Sequence, residues 1–383
     1  MINKHYREVK KVLKKERQLD TYFVSKFGFS PYMACEHGCK YCDGRAEKYY
    51  VEGDFEKDII IRKNIAELLD IELGKQRDFG VVIIGSGISD SYQPCELQEE
   101  LMRDCLKVLI KHKFPCLILT KSVNLLRDID LLEELNNIAG VTVASSLTFA
   151  DDKDRAIIEP GASSIEERCK MIRECQKRGI STGIMAMPIT PYIVDNEIDL
   201  PRLFDLYASL NPDFVMIGSM TLRVGKNKDI FLEMIKNNYP HLLEKFQDLY
   251  SNNLQSGSPQ WQYSHPFYSK AETLMKERGF SPVVPLKSYI KRFPLYDVLY
   301  IYLKHLKVLY KNYKEDINRL KVSYNSYKEW YIPFTGRLSR SRKMTYHDLE
   351  EEFEMLVISG YIEGLIDNKR LYDNIRKNVL GDL

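Results

Sequence analysis

Cys35, Cys39 and Cys42 fall within eight residues, Cys35-Glu-His-Gly-Cys39-Lys-Tyr-Cys42, with the spacing C-x3-C-x2-C. Three thiolates on one loop do not complete the shell of a structural zinc or a ferredoxin-type cluster without a distant fourth ligand. An iron-sulfur cubane held by only three thiolates leaves one iron with an open position. That position is where a metal centre binds a substrate or cosubstrate. A zinc site completed by His37 or Cys95 is the other reading of the same residues. The remaining cysteines, Cys105, Cys116, Cys169 and Cys175, lie in apolar or helical contexts and read as core.

A loop of this kind has to be carried by something rigid. Short β-branched runs at 22–29, 80–85, 115–120, 141–147, 180–187 and 212–218 alternate with helical patterns at 64–74, 96–111, 125–137, 163–178 and 200–210. Gly74, Gly140 and Gly179 stand where helices should stop, and Ser163 is placed to cap one. Strands separated by crossovers this long predict a parallel sheet, whose chemistry gathers at the C-terminal strand ends. The unusual residues fall there: the cysteines after the first strand, 86–94 after the second, Lys121 and Ser122 after the third, 146–160 after the fourth and Pro188 to Pro191 after the fifth.

Composition narrows the class. The chain has 383 residues, with 56 Lys and Arg against 54 Asp and Glu, so net charge says little about partners. No apolar run reaches the ~18 residues of a membrane span, and the charged start lacks the apolar core of a secretory signal. Eight cysteines in a chain this long do not make a disulfide framework. A reducing, cytoplasmic setting with no membrane association is the expectation.

With these motifs in hand, the sequence resembles a radical S-adenosylmethionine (SAM) enzyme of the spore photolyase-like branch. That branch's lead-in stands here as Ser30-Pro31-Tyr32-Met33-Ala34-Cys35-Glu36-His37-Gly38-Cys39-Lys40-Tyr41-Cys42-Asp43-Gly44-Arg45. Ser89-Asp90-Ser91-Tyr92-Gln93-Pro94, Thr120-Lys121-Ser122, Ser145-Ser146-Leu147-Thr148, Glu159-Pro160 with Ser163 and Arg168, and Met187-Pro188-Ile189-Thr190-Pro191-Tyr192 extend the match. The resemblance covers roughly residues 22–250.

It implies a partial (β/α)6 barrel with a helical C-terminal extension. Cys35, Cys39 and Cys42 would ligate a [4Fe-4S] cluster whose fourth iron chelates SAM. One electron from a flavodoxin- or ferredoxin-type donor would then yield a 5'-deoxyadenosyl radical for hydrogen abstraction. The resemblance further sets Tyr41 against the adenine, the Gly85-Ser86 turn at the methionine amino end, Lys121 on the carboxylate and Ser146 on the ribose. Asp90, Tyr92, Arg155 and Glu159 are polar residues of the same rim, open to either SAM or substrate, and Ser89 and Asp90 stand with the cofactor-binding residues. Spore photolyases carry a hydrogen-donating cysteine after the second strand, where glycine stands here. Thymine-dimer repair is therefore not expected, and Cys95 with Tyr92 becomes the candidate hydrogen-donating pair.

The chain divides into a basic helical lead (1–20), the core (21–225), a helix and linker (226–259) and a mainly helical region (260–383). Within the last, helices are predicted at 295–318, 346–359 and 368–379. This region carries 21 Lys and Arg against 15 Asp and Glu, and 14 of the 25 tyrosines. Tyr296, Tyr300, Tyr310 and Tyr313 alternate with Lys304, Lys307, Lys311 and Lys314, and Arg337, Arg340, Arg342 and Lys343 cluster beyond. Two readings stay open: a nucleic-acid surface, or an ordinary amphipathic helix built on Leu299, Ile301, Leu303, Leu306 and Leu309. A peptide or small-molecule substrate, and a non-catalytic iron-sulfur module, are the rival functions.

Overall fold

Val82-Ile83-Ile84, Cys116 to Thr120 and Val141 to Ser146 lie side by side as parallel strands. The computed structural model describes residues 2–85, 89–366 and 368–381. Its strands are β1 (Asn3–Arg7), β2 (Lys14–Asp20), β3 (Ser25–Phe29), β4 (Tyr32–Met33), β5 (Asp58–Arg62), β6 (Val82–Ile84), β7 (Cys116–Thr120), β8 (Val141–Ser146), β9 (Ser181–Ile189) and β10 (Phe214–Ser219). The main sheet has seven strands in the order β10-β9-β8-β7-β6-β3-β2. All neighbours from β3 to β10 are parallel, and β2 closes one edge antiparallel to β3. The sheet curls into a half-barrel, the partial (β/α)6 barrel expected. A small sheet, β1-β5-β4, sits on the first crossover.

Helices α1 (Ile65–Gly74), α2 (Glu96–Glu99), α3 (Leu101–His112), α4 (Ile129–Ile138), α5 (Asp152–Ile158), α6 (Ile165–Lys177) and α7 (Asp199–Leu210) fill the crossovers. Alternation along each strand divides the core, because successive side chains point to opposite faces. Val82, Ile84, Cys116, Ile118, Val141 and Val143 pack outward with α1, α3 and α4. Ile83, Leu117, Ala144, Met185 and Met216 point the other way and join the C-terminal helices in one core.

That C-terminal region follows α8 (Lys226–Asn238) and α9 (Leu243–Leu249) and consists of α10 (Trp261–Glu277), α11 (Leu295–Leu309), α12 (Lys314–Thr335), α13 (Arg337–Arg340), α14 (Tyr346–Ile358), α15 (Tyr361–Ile366) and α16 (Lys369–Ile375). Helices α11 to α16 pack against the inward-facing strand residues, while α10 packs with α7, α8 and α9.

Two expectations are corrected. Residues 1–20 are not helical: β1 and β2 are largely exposed edge strands held by backbone pairing, so neither face needs the apolar alternation that would reveal a strand. The single helix expected at 295–318 is broken between α11 and α12. Within α12, Ile317, Leu320, Tyr324, Tyr327, Tyr331 and Phe334 are all buried at 3-4-3-4-3 spacing, so tyrosines form much of its apolar face. Tyr296 and Tyr300 are likewise core, with Tyr300 stacked on Tyr331 at 4.3 Å, which favours the amphipathic reading of α11; Tyr310 and Tyr313 are exposed.

Candidate active site

The strand ends open onto a cleft of about 650 Å³ lined by Cys35, Cys39, Cys42, Tyr41, Gly85, Ser89, Asp90, Lys121 and Ser146. Nine of the twelve residues singled out for the site are thus brought together; Ser86 lies outside the described residues. Cys95 and Tyr92 do not line the cleft. Tyr92 is fully buried against the outer helices, its hydroxyl without a hydrogen-bond partner among the described residues, and Cys95 is buried at the start of α2.

The cysteine loop is held from three sides. From β6, Gln93 accepts from the Glu36 amide at 2.9 Å and donates to the Ala34 carbonyl at 3.3 Å, while Glu36 accepts from the Cys95 amide at 2.7 Å. From β8, the Ile158 carbonyl accepts from the Lys40 amide at 2.9 Å, and the Gly161 amide donates to the His37 carbonyl at 2.9 Å. A Cβ on Gly161 would lie 2.4 Å from the Glu36 oxygen, so only glycine lets these loops touch. From α8, buried Asn227 donates to the carbonyls of Tyr41 at 3.1 Å and Cys42 at 2.8 Å. Arg45 donates to the Cys39 carbonyl at 3.1 Å and pairs with Glu56. Sequence reasoning missed Gly161, Gln93 and Asn227 as loop anchors, since each acts on backbone atoms distant in the chain.

Asp90 belongs to the frame more than to any ligand. One carboxylate oxygen accepts from the Tyr92 amide at 2.9 Å and Thr120 Oγ1 at 2.8 Å, the other from the Lys121 amide at 2.7 Å. His37 Nδ1 stands 3.5 Å from it, and burial holds His37 below the usual imidazole range. Ser89 Oγ donates to the Tyr32 carbonyl at 2.9 Å. Gly85 has φ +80°, and a Cβ there would meet the Leu119 oxygen at 2.5 Å. Arg155 is turned to Asp152 and the carbonyls of Glu159 and Ala162.

Tyr41 is oriented by a buried network. Its hydroxyl donates to Glu159, which also accepts from Thr148 at 3.1 Å and Arg168 at 2.5 Å. Arg168 continues to the carbonyls of Ser163 at 2.9 Å and Ser146 at 3.0 Å. Burial alone would raise the Glu159 carboxyl, but Arg168, Lys121 and the Tyr41 hydrogen bond outweigh it and hold it down at about 2. Lys121 makes no ion pair among the described residues; its ammonium lies 5.9 Å from the Tyr41 ring.

The donor set fits the implied cluster. The three thiols are free of disulfides, and burial pushes all of them up, Cys39 to about 12. A buried thiol ionises when it coordinates a metal. Among the described residues no three His, Cys, Asp or Glu side chains converge on one ion position. Three free thiols lining one cleft suit a cubane, in which each thiolate holds its own iron. Away from the cysteines, Tyr22, Phe23, Met185, Met187, Ile217, Ser219, Thr221 and Tyr268 line an uncharged mouth.

The Radical SAM superfamily profile matches residues 29–206. An uncharacterized protein of Mycobacterium tuberculosis (strain ATCC 25618 / H37Rv) is 27% identical over 232 residues, 59% of this chain and 67% of that one. A Radical SAM Nalpha-GlyT isomerase of Pseudomonas phage M6 is 26% identical over 132 residues, 34% of this chain and 27% of its own. Among solved structures, spore photoproduct lyase complexed with dinucleoside spore photoproduct superimposes with a TM-score of 0.52 at 13% identity, covering 72% of this chain and 79% of that one. This last likeness is one of fold.

Proposed function

Because the chain belongs to the radical SAM superfamily and is a radical SAM enzyme with a spore photolyase-like fold, we propose that it cleaves SAM reductively and abstracts hydrogen from a nucleic-acid substrate. At the level of the family, the cofactors are a [4Fe-4S] cluster and SAM. When bound, they supply a 5'-deoxyadenosyl radical, formed with methionine by one electron from a flavodoxin- or ferredoxin-type donor, which takes a hydrogen atom from the substrate.

Cys35, Cys39 and Cys42 hold the cluster. Gly85 keeps the strand end free of side-chain bulk, so backbone can approach the methionine end. Lys121, with no carboxylate partner among the described residues, offers a cation to a carboxylate, and Ser146 offers a hydroxyl to the ribose. Tyr41, fixed through Glu159, presents its ring to the adenine. The uncharged mouth suits a neutral planar group such as a nucleobase, and the dinucleoside held by the fold neighbour supports the same substrate class. Cys95 and Tyr92 lie off the cleft, so the reading assigns neither to hydrogen return.

The observation that carries the proposal is one cleft shared by three cysteine thiols and the Gly85, Lys121 and Ser146 strand ends. Anaerobically reconstituted protein with dithionite should release 5'-deoxyadenosine and methionine, and Cys39→Ala should abolish release. Protein that binds zinc alone and leaves SAM intact would overturn the reading.

A further inference from the structure

Helices α11 and α12 bring together four lysines. Lys304 and Lys307 lie three residues apart on α11. Lys321 and Lys328 lie seven apart on α12, about 10 Å along its axis, with Tyr324 between them on the same stripe. The Lys307 ammonium sits 3.8 Å from the Tyr324 ring centroid and that of Lys304 5.4 Å from it. The Tyr324 hydroxyl meets that of Tyr300 at 3.2 Å, which fixes the ring between the helices.

The Lys307 charge lies over the Tyr324 ring within reach of those of Lys304, Lys321 and Lys328, and like charges this close repel one another. None of the four enters an ion pair among the described residues, whereas nearby Lys311 is paired with Glu272 at 2.7 Å. Burial, then the charges of Lys304, Lys321 and Lys328, make Lys307 less basic than an ordinary lysine. Such a patch is stabilised when an anion with several charges lies across it.

Its position ties it to the cleft. His305, next to Lys304, donates from Nε2 to the Thr21 carbonyl at 2.8 Å, and the following residues, Tyr22 and Phe23, line the uncharged mouth. A base can enter such a mouth only when it is out of its stack, which favours a single strand.

We propose that Lys304, Lys307, Lys321 and Lys328 form a phosphate-docking patch that holds a single nucleic-acid strand beside the cleft. The assignment rests on the nucleic-acid reading above and adds where the backbone is gripped. Lysine ammoniums act here as point charges on phosphates, without base readout.

Binding of a short fluorescein-labelled single-stranded DNA to the reconstituted full chain, followed by anisotropy over a salt series, tests it. Four neutralised phosphates give a log-log salt slope of about −3. The quadruple substitution Lys304→Gln, Lys307→Gln, Lys321→Gln and Lys328→Gln should remove most of that slope and weaken low-salt binding about tenfold or more. The corresponding Lys→Arg variant should restore both, and dithionite-driven 5'-deoxyadenosine release should be equal in all three. An unchanged slope in the Gln variant overturns the patch. So does a Gln variant that binds DNA normally but loses only flavodoxin-supported SAM cleavage, which would make the patch a donor site. Lysine-dependent DNA binding by protein that never cleaves SAM would uphold the patch and sink the proposed chemistry instead.

Discussion

At the level of single residues, the site separates groups that face the cleft from groups that hold them. Glu159 and Arg168 are fully buried and satisfy each other, so their work is to fix Tyr41 and the Ser146 carbonyl. Asp90 spends both oxygens on backbone and Thr120. Lys121 differs: its amide is tied to Asp90, but its ammonium has no carboxylate partner among the described residues and opens onto the cleft. A charge-assisted hydrogen bond is worth about 1.5–3 kcal/mol. Lys121→Met should therefore raise the KM for SAM roughly ten- to hundredfold while iron content and melting temperature stay at wild-type values. A variant with an unaltered KM would show that this cation serves something other than the SAM carboxylate.

At the level of elements, the cysteine loop is a largely buried segment made rigid by loops from other strand ends. Gly161 is the tightest of these contacts, since an added Cβ would lie 2.4 Å from the Glu36 oxygen. Overpacking of this sort costs about 1–3 kcal/mol and pushes the loops apart. Gly161→Ala should lower the iron retained after reconstitution, together with the visible absorbance, before it unfolds the chain. Equal iron loading in the variant would mean that the loop keeps its shape unaided. The cysteine spacing and the strand-helix alternation were legible in the sequence because each signal lies within a few residues of itself. Gly161, Gln93 and Asn227 were not, because their partners are backbone atoms tens of residues or more away. The same limit explains α12: its repeating face is legible only when Tyr324, Tyr327 and Tyr331 are counted as core, and a residue with both a ring and a hydroxyl does not announce which it will use. The β1 and β2 strands left no pattern at all, being exposed edges with little to bury.

At the level of the whole molecule, the half-barrel and the C-terminal helices are joined by an apolar core with one charged cluster inside it. Lys26 of β3 reaches Asp78 at 2.6 Å and Asp297 of α11 at 2.5 Å, and Tyr331 of α12 donates to Asp297 at 2.5 Å. Lys15 of β2 adds a second cation on Asp78 at 2.7 Å. Two lysines thus balance two aspartates. Burial would lower the Lys26 ammonium, but Asp297 and Asp78 hold it above its ordinary value, so it stays charged. Removing one member of such a buried set leaves the others uncompensated and costs about 3–5 kcal/mol, far more than the set contributes over an apolar replacement. Lys26→Met should therefore lower the unfolding free energy read from urea titration by that amount and speed proteolysis within the C-terminal helices. Lys26→Met combined with Asp297→Asn should recover part of the loss, since only the single variant strands the α11 carboxylate. The cysteine loop is anchored by other contacts at the opposite strand ends, so iron loading should survive in both. A single variant as stable and protease-resistant as the parent would show that the apolar core alone holds the helical region against the barrel.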